Sequence, residues 1–176
     1  MPVDEDEALR LEAEESPGPS DLESALANDT LADVVTQPPL ILEGATSLAD
    51  AIGKMRDERR ACVLVIEAGK LAGVFTERDI LMKVAATSMD LERTRLDEVM
   101  TREPVTLPAD SSVAYALNLM VLEGFRHIPM VDEQEHPVAV VSMRNLIEYL
   151  GSFYSRDLLT IAPHPRLSRF KNRDGA

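Results

Sequence analysis

Apolar and polar residues follow one pattern that occurs twice along the chain. Apolar residues fall at i, i+3, i+4 and i+7 within Leu48–Met55 and again within Val113–Met120, a spacing that places them on one face of a helix. Ser47 and Ser112 stand directly before these stretches, where a hydroxyl can cap a helix. Each stretch is followed by two short, nearly continuous apolar runs and then by a second helical stretch.

The short apolar runs predict buried strands, because they are brief and rich in β-branched residues. Short extended pieces also precede each first helix. The expected strands are Leu40–Leu42, Cys62–Ile66 and Leu71–Phe75 in the first half, and Val105–Leu107, Ile128–Val131 and Val138–Val141 in the second. Each half therefore has the predicted order β-α-β-β-α.

The two halves are copies of one unit. A shift of 65 positions places Leu31–Pro39 on Leu96–Pro104, and a shift of 66 places Gly73–Ile80 on Ala139–Leu146. Two units of about 60 residues thus fill residues 31–150. Because a single unit of this size has a small core, we expect the two units to pack against each other.

The charge of the chain is concentrated at its N-terminal end. Of the 31 acidic and 18 basic residues in the 176-residue chain, ten acids and one arginine lie in residues 1–30. The acidic, Pro- and Gly-containing composition of residues 1–28 predicts a disordered tail, with a transient helical turn or docking of its leucines as the alternative. The remainder lacks the basic surplus of a nucleic-acid-binding face, so nucleic acid is an improbable partner.

Several other classes of protein are disfavoured by the sequence. No run of about 18 apolar residues predicts a membrane span, and the N-terminus lacks the pattern of a signal sequence. The single cysteine, Cys62, excludes an internal disulfide, and with no export signal the expected location is the cytoplasm. The three histidines show no metal-ligand spacing, so we expect no metal.

One four-residue motif carries the candidate chemistry. Thr76-x-x-Asp79 and Ser142-x-x-Asn145 each stand where a strand ends and a helix begins. Such a motif can be a capping box that satisfies free backbone N–H groups, and a helix start can also attract an anionic ligand. The two interpretations are compatible. Gly73, three residues before Thr76, leaves room for a ligand to approach the backbone.

Two tandem units closed by Gly-h-x-Thr/Ser-x-x-Asp/Asn, where h is apolar, resemble a pair of cystathionine-β-synthase-type (CBS) domains, the Bateman module. The supporting segments are Gly73–Ile80, Val99–Leu107 and Arg126–Asp132. The resemblance implies an α+β, sandwich-like fold of two β-α-β-β-α units packed through their sheets, with clefts for adenosine-containing ligands. The expected division is a tail at 1–28, units at 29–92 and 93–155, and a basic extension at 156–176.

The same resemblance assigns the site residues. Asp79 and Asn145 would hold ribose hydroxyls, with the neutral Asn145 holding them less tightly. The remaining residues are Thr76 and Ser142 near ribose or phosphate, the strand backbone around Cys62, Val63, Ile128 and Pro129 at the adenine edge, Thr36 and Thr101 along the cleft, and Arg126, His127, Arg78 and Arg144 toward phosphate. Because Ala61 and Cys62 replace Arg126 and His127 in the first unit, we expect unequal clefts.

No nucleophile with an orienting partner and no acid–base pair stands out, so we expect a protein that is not an enzyme. The favoured hypothesis is a regulatory module that needs no cofactor and binds AMP, ADP or ATP, with S-adenosylmethionine and NADH as further candidates. It would form a homodimer through its helices and act on a separate protein target. The alternative is a ligand-free interaction scaffold.

Overall fold

The computed structural model describes residues 19–35 and 37–153, which contain seven helices and six strands. The helices are α1 Pro19–Asn28, α2 Leu31–Val34, α3 Leu48–Asp57, α4 Glu77–Asp79 with a π-helical turn at Ile80–Val84, α5 Leu96–Val99, α6 Val113–Glu123 and α7 Met143–Ser152. The strands are β1 Leu40–Glu43, β2 Cys62–Glu67, β3 Lys70–Thr76, β4 Thr101–Arg102, β5 His127–Val131 and β6 Pro137–Ser142. The predicted N-caps Ser47 and Ser112 are confirmed, since each accepts a hydrogen bond from a backbone N–H of the first turn.

The strands form one sheet in each unit. In the first sheet the order is β1-β2-β3-β4, with β1 parallel to β2 and the other neighbours antiparallel. In the second sheet β5 pairs antiparallel with β6, and a single parallel bridge joins Leu107 to Met130. The predicted mixed α+β fold of two related units is therefore confirmed. Among the described residues, no helix is both long and apolar enough for a membrane span.

One helical turn from each unit packs into the core of the other unit. Leu31 and Val34 of α2 are buried in the second core, whereas Leu96 and Val99 of α5 are buried in the first. Two matched β-bridges hold these segments, Thr30 to Ser112 and Ser47 to Arg95. Each core therefore includes one helical turn from across the expected boundary, and the division at 29–92 and 93–155 stays a prediction. Sequence order hides this exchange, because both turns have the same apolar spacing and fit either core.

The expected disorder of residues 1–28 does not extend to its last ten residues, which form helix α1. Leu22 and Leu26 are one helical turn apart, α1 packs on α6, and Leu26 contacts the second core. At the end of this helix the Tyr149 hydroxyl donates to Asp29 Oδ2 at 2.8 Å. Tertiary packing thus offsets the unfavourable composition. The predictions for residues 1–18 and for the basic extension at 156–176 lie outside the described residues.

Gly73 makes room for a neighbouring strand of the protein. A Cβ built on Gly73 would lie 2.8 Å from the carbonyl oxygen of Thr101, too close for a carbon atom, and Gly73 pairs with Arg102 in the sheet. The expectation that this glycine admits a ligand is therefore wrong. In the second unit Ala139 takes its place, and residues 37–39 form no strand beside β6. A cavity of about 310 Å3 lies there instead, lined in part by Ala139 and Pro38.

Candidate functional site

A cleft of about 1120 Å3 opens between the two units and contains both copies of the Thr/Ser-x-x-Asp/Asn motif. Helices α4 and α7 begin at its walls, because β3 and β6 end there. Ten of the residues predicted for the site line this cleft, and they come from both units: Cys62, Thr76, Arg78, Asp79, Thr101, Arg126, His127, Ser142, Arg144 and Asn145. The repeat therefore brings the two motifs to one surface.

Three residues predicted for the adenine edge have side chains outside the cleft lining. Val63 and Ile128 are fully buried in the two cores. Pro129 is buried, pairs with Val140, and accepts a hydrogen bond from the Leu107 N–H at 3.1 Å. Their side chains are needed for packing and do not line the cleft. That the backbone of these strands contacts the adenine edge stays a prediction. Thr36 lies outside the described residues.

The first motif is a capping box whose carboxylate is held on two sides. Asp79 Oδ2 accepts from the Thr76 N–H at 2.9 Å and from the Thr76 hydroxyl at 2.7 Å. Asp79 Oδ1 pairs with Lys83 Nζ at 2.7 Å. Burial alone would raise the pKa of Asp79, but the hydrogen bonds from Lys83 and Thr76 outweigh burial and hold this pKa below that of a free aspartate. The cleft therefore contains an ionised carboxylate at neutral pH.

Lys83 is a partner of the Asp79 carboxylate, outside the cleft lining, that the sequence interpretation missed. Besides Asp79, its Nζ donates to the Val99 carbonyl oxygen at 2.8 Å and to Thr101 Oγ1 at 3.2 Å. Lys83 follows Asp79 by four residues, the spacing at which opposite charges meet on a helix. That spacing was a visible signal, although nothing in the sequence showed that residues 99–101 come to the same place.

The second motif has the same backbone geometry without the charge. Asn145 Oδ1 accepts from the Ser142 N–H at 2.9 Å and from the Ser142 hydroxyl at 2.6 Å. The residue that matches Lys83 is Tyr149, whose hydroxyl bonds to Asp29. The expectation of two unequal halves thus has a structural counterpart, since one half carries an Asp–Lys ion pair and the other a neutral asparagine.

The cleft also contains the unpaired arginines of the described region. Among residues 19–35 and 37–153, four arginines have no carboxylate within 4.0 Å, and all four line this cleft: Arg59, Arg60, Arg78 and Arg126. Arg60 donates to Gln37 at 2.7 Å while its buried Nε has no partner. Arg144, by contrast, is neutralised by Glu148 at 2.8 Å. Unpaired guanidinium groups that converge on one cleft favour an anionic ligand.

Arg59 reaches the cleft from an unusual backbone conformation. Its φ is 53°, in the left-handed region, and the matched residue of the second unit is Gly124 with a φ of 74°. Glycine adopts this conformation freely, whereas a long side chain there is strained by roughly 1–2 kcal/mol. Strained residues of this kind cluster at ligand sites. The sequence offered one signal, since the 65-residue shift places Arg59 on a glycine.

Two other predicted residues have altered ionisation. Burial, followed by the charges of Arg126 and Arg78, lowers the pKa of His127, so this side chain is neutral at neutral pH. Burial and the nearby Asp79 charge raise the pKa of Cys62 to about 12, so its thiol stays protonated. Within the described part of the chain, no group of three His, Cys, Asp or Glu residues could hold a metal ion.

Comparison with known families agrees with the repeat. The family model described as CBS domain matches residues 31–86 and 96–152. The CBS domain-containing protein CBSCBSPB3 of Arabidopsis thaliana is 32% identical over 143 residues, which cover 81% of this chain and 24% of the relative. The chain therefore spans about a quarter of that relative's length.

Solved structures share the architecture. The CBS domain pair of protein MJ0100, in complex with 5′-methylthioadenosine and S-adenosyl-L-methionine, superimposes with a TM-score of 0.65 at 22% identity, covering 72% of this chain and 98% of that one. The CBS domain protein PAE2072 from Pyrobaculum aerophilum, complexed with AMP, gives 0.62 at 20% identity, covering 70% and 99%. At these identities the likeness shows the shared fold.

Proposed function

The chain belongs to the CBS domain family, and from this premise we propose that it is a non-catalytic regulatory module that binds an adenosine-containing ligand of the AMP, ADP or ATP class in the cleft between its units. The observation that carries the proposal is the position of the four carboxylate-free arginines in the same cleft as both Thr/Ser-x-x-Asp/Asn motifs. An adenine nucleotide combines a hydroxylated ribose with phosphates, and the cleft offers groups for both.

The ribose is assigned to Asp79, with Asn145 as the weaker counterpart. An ionised carboxylate accepts charge-assisted hydrogen bonds, which are about twice as strong as those to a neutral amide. The pKa of Asp79 is already lowered, so the carboxylate is charged before the ligand arrives. Thr76 and Ser142 hold the two side chains in place and lie beside the sugar.

The phosphates are assigned to Arg59, Arg60, Arg78 and Arg126. A guanidinium group can donate two parallel N–H hydrogen bonds to the oxygens of one phosphate, and it keeps its charge at all physiological pH values. Arg144 has a weaker claim, because Glu148 already neutralises it. His127 is assigned a hydrogen bond to the ligand without a charge, since its pKa is lowered.

The ligands of the structural neighbours support this class of molecule. AMP, 5′-methylthioadenosine and S-adenosyl-L-methionine all contain adenosine. The arginines favour the phosphate-bearing members of that group, and the binding of S-adenosylmethionine or NADH is the alternative within the same proposal. The output is a change in affinity for a protein target, so that the chain reports energy or metabolite state. The cytoplasmic location stays a prediction.

We assign the homodimer contact to helix α6. Tyr115, Val121 and Leu122 are 54%, 68% and 72% exposed, and the matched positions of α3 are the polar Asp50, Arg56 and Asp57. An uncharged apolar face can pack against its own copy without like-charge repulsion. The same face is the observation that favours the second candidate, a ligand-free scaffold.

The two candidates differ in their response to nucleotides. The test is a thermal-shift series with AMP, ADP, ATP, NADH and S-adenosylmethionine, followed by calorimetry of any ligand that stabilises the chain. A ligand at 100 times its Kd adds about 2.7 kcal/mol to the free energy of unfolding. Stabilisation that is largest for a phosphate-bearing adenosine supports the sensor. A chain that forms dimers but is unaffected by every ligand is the scaffold.

A further inference from the structure

We propose that Lys83 is a positioning residue that couples ligand binding at Asp79 to residues 99–102, the segment that leads into the second unit. When a ligand binds at Asp79, Lys83 shifts and the anchoring of this segment changes. The proposal rests on the proposed function and adds the route by which a bound ribose alters the protein. Lys83 acts through Asp79, with no ligand contact of its own required.

The ammonium group of Lys83 joins three parts of the molecule. Its three donors meet three acceptors, which are Asp79 Oδ1 at 2.7 Å, the Val99 carbonyl oxygen at 2.8 Å and Thr101 Oγ1 at 3.2 Å. An ammonium has three donors, so the group is saturated. A change in the contact between Lys83 and the Asp79 carboxylate therefore changes the hydrogen bonds from Lys83 to Val99 and Thr101.

Asp79 cannot bind two ribose hydroxyls without giving up a present partner. A carboxylate has about four acceptor positions, and three are used, two by Thr76 on Oδ2 and one by Lys83 on Oδ1. Only one is free for a diol. The Thr76 N–H is fixed by the helix start, whereas Lys83 is a flexible side chain with two other acceptors. The ribose therefore displaces Lys83 from the carboxylate.

The local structure on both sides of Lys83 is suited to respond. Lys83 lies in the π-helical turn Ile80–Val84, and π-helical turns often occur at functional sites. On the other side, strand β4 has two residues, Thr101 and Arg102, both exposed, and pairs with β3 at two positions. A strand this short and exposed opens at a low free energy. When Lys83 leaves Asp79, the link between the carboxylate and this segment is lost and only the two hydrogen bonds from Lys83 remain, so residues 99–102 are held less firmly.

The second unit provides an internal comparison. Asn145 occupies the place of Asp79, and Tyr149 occupies the place of Lys83. Tyr149 donates its hydroxyl to Asp29, whereas Asn145 Oδ1 accepts only from Ser142 among the described residues. The Tyr149 hydroxyl makes no hydrogen bond to Asn145, so ligand at Asn145 has no equivalent route through a shared charged partner. The charged coupling is a property of the first half of the cleft.

The experiment is hydrogen exchange of the full chain with and without saturating AMP, read at backbone amides 99–102. In the unaltered chain AMP should speed exchange there by about threefold. In K83M exchange should be fast from the outset and AMP should leave it unaltered, while AMP still binds. K83R should restore the AMP response in part. Y149F, the matched change in the second unit, should keep the full response.

A second ligand keeps the test decisive if K83M does not fold. 2′-Deoxy-AMP presents one hydroxyl fewer and can use the single free acceptor of Asp79, so it should bind the unaltered chain without speeding exchange at 99–102. An AMP response that persists in K83M, or an equal response to 2′-deoxy-AMP, would overturn the coupling. Failure of AMP to bind the unaltered chain would instead overturn the proposed function itself.

Discussion

Gly73 and Thr101 lie so close together that a Cβ on Gly73 would come within 2.8 Å of the Thr101 carbonyl oxygen. The contact joins strand β3 of the first unit to the first strand residue of the second. Since the neighbour is backbone, it cannot rotate away as the end of a side chain would.

Substitution of Gly73 should therefore destabilise the fold. We expect G73A to lower the free energy of unfolding by about 1–3 kcal/mol, because β4 must move to admit the methyl group. Urea unfolding followed by circular dichroism measures the change. The matched control is A139G, where no strand has to be moved and the loss should be about 1 kcal/mol or less. Equal effects of the two substitutions would contradict the close contact.

The phosphate assignment predicts that Arg126 separates ligands by charge. R126A should weaken ATP binding by roughly tenfold, since a charge-assisted contact is lost, and should leave adenosine binding nearly unchanged. Calorimetric titration with adenosine, AMP and ATP gives the comparison. R144A serves as the control and should lower the affinity for ATP by about twofold or less, because Glu148 already pairs with that guanidinium. Equal losses for adenosine and ATP in R126A would refute the assignment.

Substitution of Arg59 by glycine should raise the stability of the fold and lower the affinity for ATP. R59G removes the side chain from its left-handed backbone conformation, so the free energy of unfolding should rise by about 0.5–1 kcal/mol. The affinity for ATP should fall by roughly tenfold with the lost charge. R56G, in the last turn of α3, is the control and should destabilise the chain by about 1 kcal/mol without changing ATP affinity. If R59G were more stable but bound ATP with unchanged affinity, Arg59 would not be part of the ligand site.

The Asp79–Lys83 pair predicts a pH dependence with a defined sign. The pKa of Asp79 is lowered in the folded chain, so its stabilising contribution is complete above the ordinary aspartate pKa of about 3.9 and is lost as pH falls through the lower folded value. The stability difference between the unaltered chain and D79N should be constant near neutral pH and shrink in acid. Urea unfolding over this range measures it.

The contribution of the Asp79 carboxylate is tested at the acid end of this range. A stability difference between the unaltered chain and D79N that did not shrink in acid would contradict it.

The sequence predicted local structure better than it predicted contacts between units. The apolar spacing located α3 and α6, and the repeat brought the two motifs to one cleft. The exchange of α2 and α5 was not visible, because Leu31 and Leu96 satisfy the same pattern in either core. The resemblance assigned the backbone around Val63 and Ile128 to the adenine edge, and the sequence did not show that both side chains are fully buried in the cores.

The contacts between charged residues also could not be predicted from the sequence alone. The Asp79–Lys83 spacing is local and readable, but the contact of Lys83 with Val99 depends on the path of the chain between the units. The arginine pair 59–60 and the arginines at 78 and 126 are far apart in sequence, and only the folded chain shows that they share a cleft and lack carboxylate partners among the described residues. That shared environment distinguishes them from ordinary surface arginines.

The central claim is that the cleft holds an adenine nucleotide by its ribose at Asp79. Calorimetric titration of the unaltered chain and of D79A with AMP tests it most directly, with the melting temperature of D79A recorded to establish that the fold persists. We predict saturable binding to the unaltered chain and an affinity at least tenfold lower in D79A, which corresponds to about 1.4 kcal/mol. Equal AMP affinity of the two proteins would contradict the claim.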